Sequence, residues 1–320
     1  MLTLELNDNL IAAIREKLPP GTNLANMLMD VLYIGREAIY RRLRGEVPFT
    51  LYEASVICRK INISLDSVIG SREKGFAVVD VHFAKDQDSL SSYGEMLSYL
   101  VHSYTMAGVD NTAQFHLACN ALPFMLYMKY DNLSKFLLFK WLYQRNALVP
   151  GSGFGDFQVP EEILDLQRQY VTAVRSINHE SCLLDYMVFD YLIGDLRYFA
   201  NIGLLRREDI DLVKGEVSVL IDDLESIAVK GQLPTGKEFQ LYISSVNFDA
   251  TYGLISGDNV RLAFLKVCGV NIVSSTEMKL YEQLKVWIES LRKFSTLISQ
   301  SGEMQRIMFF NRQRALIEKL

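Results

Sequence analysis

The sequence predicts a mainly helical protein with a small antiparallel sheet. It is divided into an N-terminal all-α domain of five short helices and a larger α+β domain. Three observations predict this. Residues 1–70 read as short apolar-periodic runs separated by turn signals. From 88 to about 230 the helical period dominates, and residues 239–274 then switch to period two with turn signals between the runs. The polar stretch 71–76 reads as the linker, giving domains at 1–70 and 77–320.

Composition is compatible with this division. A chain of 320 residues can bury a full core, and 49% hydrophobic with 22% charged residues excludes a largely disordered protein. The net charge of −5 argues against binding a polyanion by bulk charge, so a local cluster of arginines carries more information. MLTLELNDNL lacks the basic start and apolar core of a secretory signal. The most apolar region, 121–143, is interrupted by Lys129, Asp131, Lys135 and Lys140, and reads as core instead of a bilayer span. Cys58, Cys119, Cys182 and Cys268 show no paired spacing and read as reduced thiols. A cytoplasmic protein is expected, without membrane association.

Taken in order, Asp8 can cap a first helix carrying Leu10, Ile11, Ile14 and Leu18, stopped by Pro19-Pro20-Gly21. Thr22 or Asn23 caps a second, with Leu24, Leu28 and Val31 on one face. The third is Arg36 to Arg44, closed by Gly45. A fourth runs from about Thr50 to Lys60, and Ser64 caps a one-turn fifth ending at Gly70. AVVDVHF (77–83) alternates like a strand. Helices are expected around 89–107, 161–177, 183–200 and 207–229, and the segment 113–143 is either a strand then a helix or two helices. Residues 239–274 supply the antiparallel strands, and helices finish the chain from Thr276 to Leu320.

The arginine-rich third helix carries the clearest chemistry. On a helix Ile39 and Leu43 face inward together, Arg36, Tyr40 and Arg44 form an outer row, and Glu37 and Arg41 a second. So short a helix must be held by its neighbours. It then offers planar guanidinium groups that can grip a phosphate or a guanine edge at two points. A solvated helix face is the plainer account of the same residues.

The stretch from Leu24 to Gly70 resembles the helix-turn-helix of lambda-repressor/Cro-type (Xre-like) transcriptional regulators. The resemblance rests on Ile34 in the turn, Ile39 and Leu43 in the recognition helix, the Gly45 stop, Pro48, and INISLDSVIG at 61–70. Tyr33 stands where the family usually has the turn glycine. It must either adopt a left-handed conformation or the turn must differ. The resemblance implies that Gly35 to Arg44 enters the major groove of double-stranded DNA. Arg36, Glu37, Tyr40 and Arg41 become candidate base or phosphate contacts, with Arg42 and Arg44 on phosphates. Residues 75–320 resemble no named family.

Motifs for catalysis fall short. GQLPTGK at 231–237 matches most of a phosphate-binding loop, but Glu238 replaces its Ser or Thr, and a helix precedes it where a strand is required. GSGFG at 151–155 lies between Pro150 and Pro160 and reads as a loop. His82, His102, His116 and His179 show no ligand spacing, and Asp222-Asp223 diverge on a helix. No metal, cofactor or enzymatic activity is expected.

Leu280, Leu284, Trp287, Leu291, Phe294 and Ile298 follow one another at spacings of four and three, an a/d seam over nearly three heptads. It either packs within its own domain or forms a homodimer. A dimer would suit a regulator whose two recognition helices sit about 34 Å apart on the operator. The expected function is a sequence-specific DNA-binding transcriptional regulator, in a two-part layout that resembles one-chain bacterial regulators. Its C-terminal domain would sense an unknown small-molecule effector or mediate assembly. The alternatives are a protein–protein adaptor that carries the module without using it on DNA, and an enzyme with a DNA-targeting module.

Overall fold

The computed structural model describes residues 2–18, 22–61, 63–65, 68, 77–84 and 88–320, and divides into a unit ending at Val78 and a unit beginning at Val79.

In the first unit, α1 (Leu2–Lys17), α2 (Leu24–Leu32), α3 (Arg36–Leu43) and α4 (Leu51–Ile61) surround a small core. Leu10, Ile14, Leu28, Ile39 and Ile57 meet there, and Ile14, Leu28, Ile39 and Ile57 are fully buried. Asp8 does not cap α1. The helix begins at Leu2 and leaves Asp8 exposed on its surface. Asn23 caps α2, its side chain accepting from the Asn26 N–H at 3.1 Å. Of the expected fifth helix, only Leu65 and Val68 are helical among the described residues. The rest of it, like the 71–76 linker, lies outside them. A five-helix domain is therefore not shown.

The second unit overturns the expectation that the α+β domain carries only a small antiparallel sheet. It is built on one mixed sheet of eight strands. Its strands are β1 (Asp80–His82), β2 (Gln114–Cys119), β3 (His179–Asp185), β4 (Glu238–Ser244), β5 (Thr251–Ser256), β6 (Arg261–Val267), β7 (Asn271–Ser275) and β8 (Ser295–Leu297). Their order is β1-β7-β6-β5-β2-β3-β4-β8. β3 runs parallel to both β2 and β4, while the other pairs are antiparallel.

Parallel neighbours need crossovers. α6 (Phe124–Tyr127), α7 (Asp131–Gln144) and α8 (Glu161–Val174) connect β2 to β3, and α9 (Val188–Asn201) and α10 (Arg207–Lys230) connect β3 to β4. Together with α5 (Ser89–Val109) and α12 (Glu303–Glu318) these helices cover one sheet face in a single large core. At its centre the Phe264 ring lies across Gly253, where an added Cβ would stand 2.0 Å from the ring. Only glycine admits this approach.

The opposite face is covered by α11 (Met278–Lys293), whose Tyr281, Leu284, Ile288 and Leu291 pack on Ala118, Leu183, Leu254 and Ala263. This corrects the seam. The helix ends at Lys293, Ser295–Leu297 is strand β8, and Ile298 is buried beyond it. Leu284 and Leu291 lie inside their own domain, whereas Trp287 and Phe294 face outward.

Candidate nucleic-acid interface

Local chemistry fixes the arginine helix before any ligand is considered. Three residues, Tyr33 to Gly35, join α2 to α3. Tyr33 sits at φ 54° and ψ 37°, left-handed, and its N–H donates to the Met29 carbonyl at 2.9 Å. Its ring is 92% exposed, so packing does not reward this conformation. Gly45, at φ 73°, turns the chain after α3.

The far end of the helix is strapped to its neighbours. Thr50 and Glu53 form a reciprocal cap at the start of α4: the Glu53 N–H donates to Thr50 Oγ1 at 3.2 Å, and the Thr50 N–H donates to Glu53 Oε2 at 2.8 Å. The Arg42 guanidinium grips the same carboxylate at 2.7 and 3.1 Å and also donates to the Ala38 carbonyl at 3.1 Å. Burial alone would raise the Glu53 pKa, but these bonds from Arg42 and Thr50 outweigh it and hold the carboxyl below its usual range. Asn7, buried on α1, donates to the Arg42 carbonyl at 3.1 Å and accepts from the Phe49 N–H at 3.0 Å.

Arg42 is therefore committed within the fold, with its side chain only 16% exposed, and is not placed as a free phosphate contact. The other sequence-derived residues lie outward. Arg36, Glu37, Arg41 and Arg44 are exposed, and Tyr40 is half-buried. The Arg36 guanidinium lies 5.5 Å from the centre of the Tyr40 ring. Arg44 bonds Glu46 at 2.6 Å and Glu37 at 3.3 Å, and Arg41 lies 3.5 Å from Glu46. Exposed pairs of this kind contribute little and are exchangeable, so these guanidiniums can leave their carboxylates for a polyanion.

Beside this row is a surface that the sequence reading missed. Tyr33, Leu51 and Tyr52 are 92%, 78% and 76% exposed. Tyr33 and Tyr52 also line an open groove with Asp30, Ser55, Arg59 and Lys60. The helical period of α4 does place Tyr52 away from Ala54, Ile57 and Cys58, which was the available signal, whereas Leu51 falls in register with Cys58 and its exposure at the first turn was not legible.

The remaining motifs give no second site of the same strength. GQLPTGK is the cap of α10 and the turn into β4, with Lys237 bonded to Asn178. The fold does bring together histidines that are distant in sequence. His116 Nδ1 lies 2.7 Å from Ser181 Oγ, and the His179 ring meets the His116 ring edge-on at 5.9 Å. Burial first, then the charges of Arg292, His179 and Lys285, push the His116 pKa down to about 4. Arg292 also donates to Ser181 Oγ at 3.1 Å, so that hydroxyl is held by a structural network. Among the described residues no group of three His, Cys, Asp or Glu side chains could hold a metal, and no helix is long and apolar enough to cross a membrane. Comparison with protein-family models, curated proteins and solved structures finds no match to this chain.

Proposed function

We propose that the protein is a DNA-binding transcriptional regulator of the cytoplasm, with α3 inserted in the major groove and a C-terminal unit that answers to a small-molecule signal. The observation that carries this reading is the exposed row of Arg36, Tyr40, Arg41 and Arg44 on a helix strapped by Asn7, Arg42 and Glu53. Strapping removes the conformational cost of presenting the row, which a merely solvated helix face does not need. The left-handed turn at Tyr33 supports the same reading, because it supplies the tight junction of a helix-turn-helix without glycine.

In this reading Arg36, near the start of α3, reads bases with Tyr40 and Arg41. Arg44 positions the helix on phosphate. Glu37 sets specificity by accepting from a cytosine amine or by rejecting other edges. Arg42 acts through the helix it anchors.

The test is fluorescence anisotropy with a selected duplex and a scrambled one, at several salt concentrations. Arg44→Ala should weaken both alike and lower the salt slope by about one. Arg36→Ala should cost about 1–3 kcal/mol on the selected duplex and relax one position. Failure of selection to enrich any sequence, with the triple Arg36, Arg41 and Arg44 alanine variant binding as the unmodified protein does, would falsify the reading. An adaptor is the second reading, favoured by the exposed Tyr33, Leu51 and Tyr52. It expects no salt-dependent binding to either duplex.

A further inference from the structure

At the carboxyl end of the sheet lies a groove of about 320 Å³. β5 runs antiparallel to both β2 and β6, so those two strands point the same way, and β3 runs with them. Ala121 and Leu122 follow β2, Val188 and Leu192 belong to the helix after β3, and Gly269 and Val270 form the turn after β6. All of these border the groove. The carboxyl ends of parallel strands are where open α/β sheets receive ligands. The volume falls at the low end of ligand-sized clefts, about 300–1,000 Å³.

Its polar groups are unbalanced in one direction. Lys140 and Asp195 pair with each other across one wall and cancel. Lys266 remains. Among the described residues its side chain makes no hydrogen bond or ion pair, and it lies between the groove and a smaller cavity, where its ammonium is 4.5 Å from the Phe124 ring. Trp141 forms another wall. It is 3% exposed, and its indole N–H is buried without an acceptor. Lys266, which brings a surplus positive charge, and Trp141, which brings an orphaned donor, therefore line the same cleft, among the apolar side chains of Leu122, Val188 and Leu192. An ammonium kept from water without a counter-ion is unfavourable, and a buried donor left unmade costs its desolvation. One occupant relieves both.

We propose that this groove binds a small organic monocarboxylate, with its carboxylate between Lys266 and the Trp141 N–H and its hydrocarbon body against Leu122, Val188 and Leu192. A single surplus charge selects a monoanion over a phosphate dianion. The apolar wall selects an acid with a hydrocarbon body over an inorganic ion. Burial and the nearby Lys140 charge push the free Lys266 pKa down to about 8, as expected of an ammonium that lacks its partner. The site belongs to the second unit alone. It deepens the small-molecule part of the proposed function, and its test is independent of DNA binding.

The chain has two tryptophans, so Trp287→Phe in the full-length protein leaves Trp141 as the reporter of the groove. Phenylacetate, hexanoate, phenylacetamide and inorganic phosphate are titrated at constant ionic strength into the millimolar range. Phenylacetate or hexanoate should give a saturable change in Trp141 fluorescence, and phenylacetamide and phosphate none. Lys266→Met should weaken carboxylate binding about tenfold or more without lowering the unfolding temperature. Asp195→Asn frees the Lys140 charge and should tighten binding. This second variant, with the acid–amide comparison, decides the matter if Lys266→Met does not fold. The proposal is overturned if no carboxylate saturates, if acid and amide bind alike, if phosphate binds more tightly than the organic acids, or if Lys266→Met or Asp195→Asn leaves affinity unchanged.

Discussion

Arg42 and Glu53 meet through two hydrogen bonds, at 2.7 and 3.1 Å, and thereby join the arginine-rich helix to the capping box of the helix that follows. Four arginines stand close together in sequence, and the fold gives this one a different task from the other three. The two side chains are 16% and 13% exposed, which places the pair well beyond ordinary surface ion pairs.

Arg42→Ala should therefore destabilise the first unit by about 1.5–3 kcal/mol, because it leaves a half-buried carboxylate without its partner. Arg41→Ala, whose side chain is 53% exposed, should cost no more than about 0.5 kcal/mol. Urea unfolding followed by circular dichroism distinguishes them. Equal losses would show that the strap contributes nothing of its own.

Tyr33 invites the opposite change. Its left-handed backbone costs an L-residue about 1 kcal/mol, and its ring is almost fully exposed. Tyr33→Gly should raise the stability of the first unit by roughly 0.5–1 kcal/mol, and Tyr33→Val should lower it by at least as much. A glycine variant less stable than the original would mean that the ring packs in solution.

The apolar run on α11 can be tested residue by residue. Leu284→Asp places a carboxylate between the helix and the sheet, and should destabilise the second unit by about 4 kcal/mol or unfold it. Phe294→Asp, at a position 65% exposed, should be tolerated within roughly 0.5 kcal/mol. Thermal unfolding with light scattering reads both. A folded, soluble Leu284→Asp protein is incompatible with the packing described.

Glu180 predicts a pH dependence. Both carboxyl oxygens are buried on β3 without a hydrogen-bond partner, and burial pushes the pKa well above its ordinary 4.5, only partly opposed by Arg175. The folded state therefore holds this proton where the unfolded chain has lost it. Its contribution to stability is greatest below about pH 4.5 and declines as pH rises towards the folded pKa, by at most about 1.4 kcal/mol per pH unit. Glu180→Gln should remove that slope, and Glu180→Met should raise stability at neutral pH. Chemical denaturation across about pH 4 to 8 measures both. A slope unchanged in Glu180→Gln would show that the carboxyl is not its source.

The same strand shows where sequence reading fails. HESCLLD at 179–185 is buried on both faces from Glu180 onward, so the alternation that marks a half-buried strand never forms. Its parallel partner β4 was legible as a strand, but the pairing was not, because a polar–apolar pattern carries no information about direction. β8 is three residues long and directly follows a helix, and the residues that flank it, Phe294 and Ile298, fall into the helical period of Leu284, Trp287 and Leu291. By contrast the inward Ile39 and the outward Arg36 and Arg44 were readable from one short helix, where spacing alone sets the face. The fate of Arg42 was not readable, because it depends on Glu53, brought beside it only by tertiary packing. Lys266 and Trp141 are likewise far apart in sequence and share no pattern.

The sheet order also imposes a schedule on synthesis. β1 is the first strand to leave the ribosome, yet Asp80 pairs with Ser274 on β7, and the central β2 must wait for both β3 and β5. At about 5–20 residues per second, roughly 10–40 s separates the emergence of β1 from that of its partner. During that interval the growing chain holds strands with open edges and a half-covered core, a state in which chaperones have something to bind. The first unit, whose helices make only nearby contacts, can be complete before the second has its middle strands.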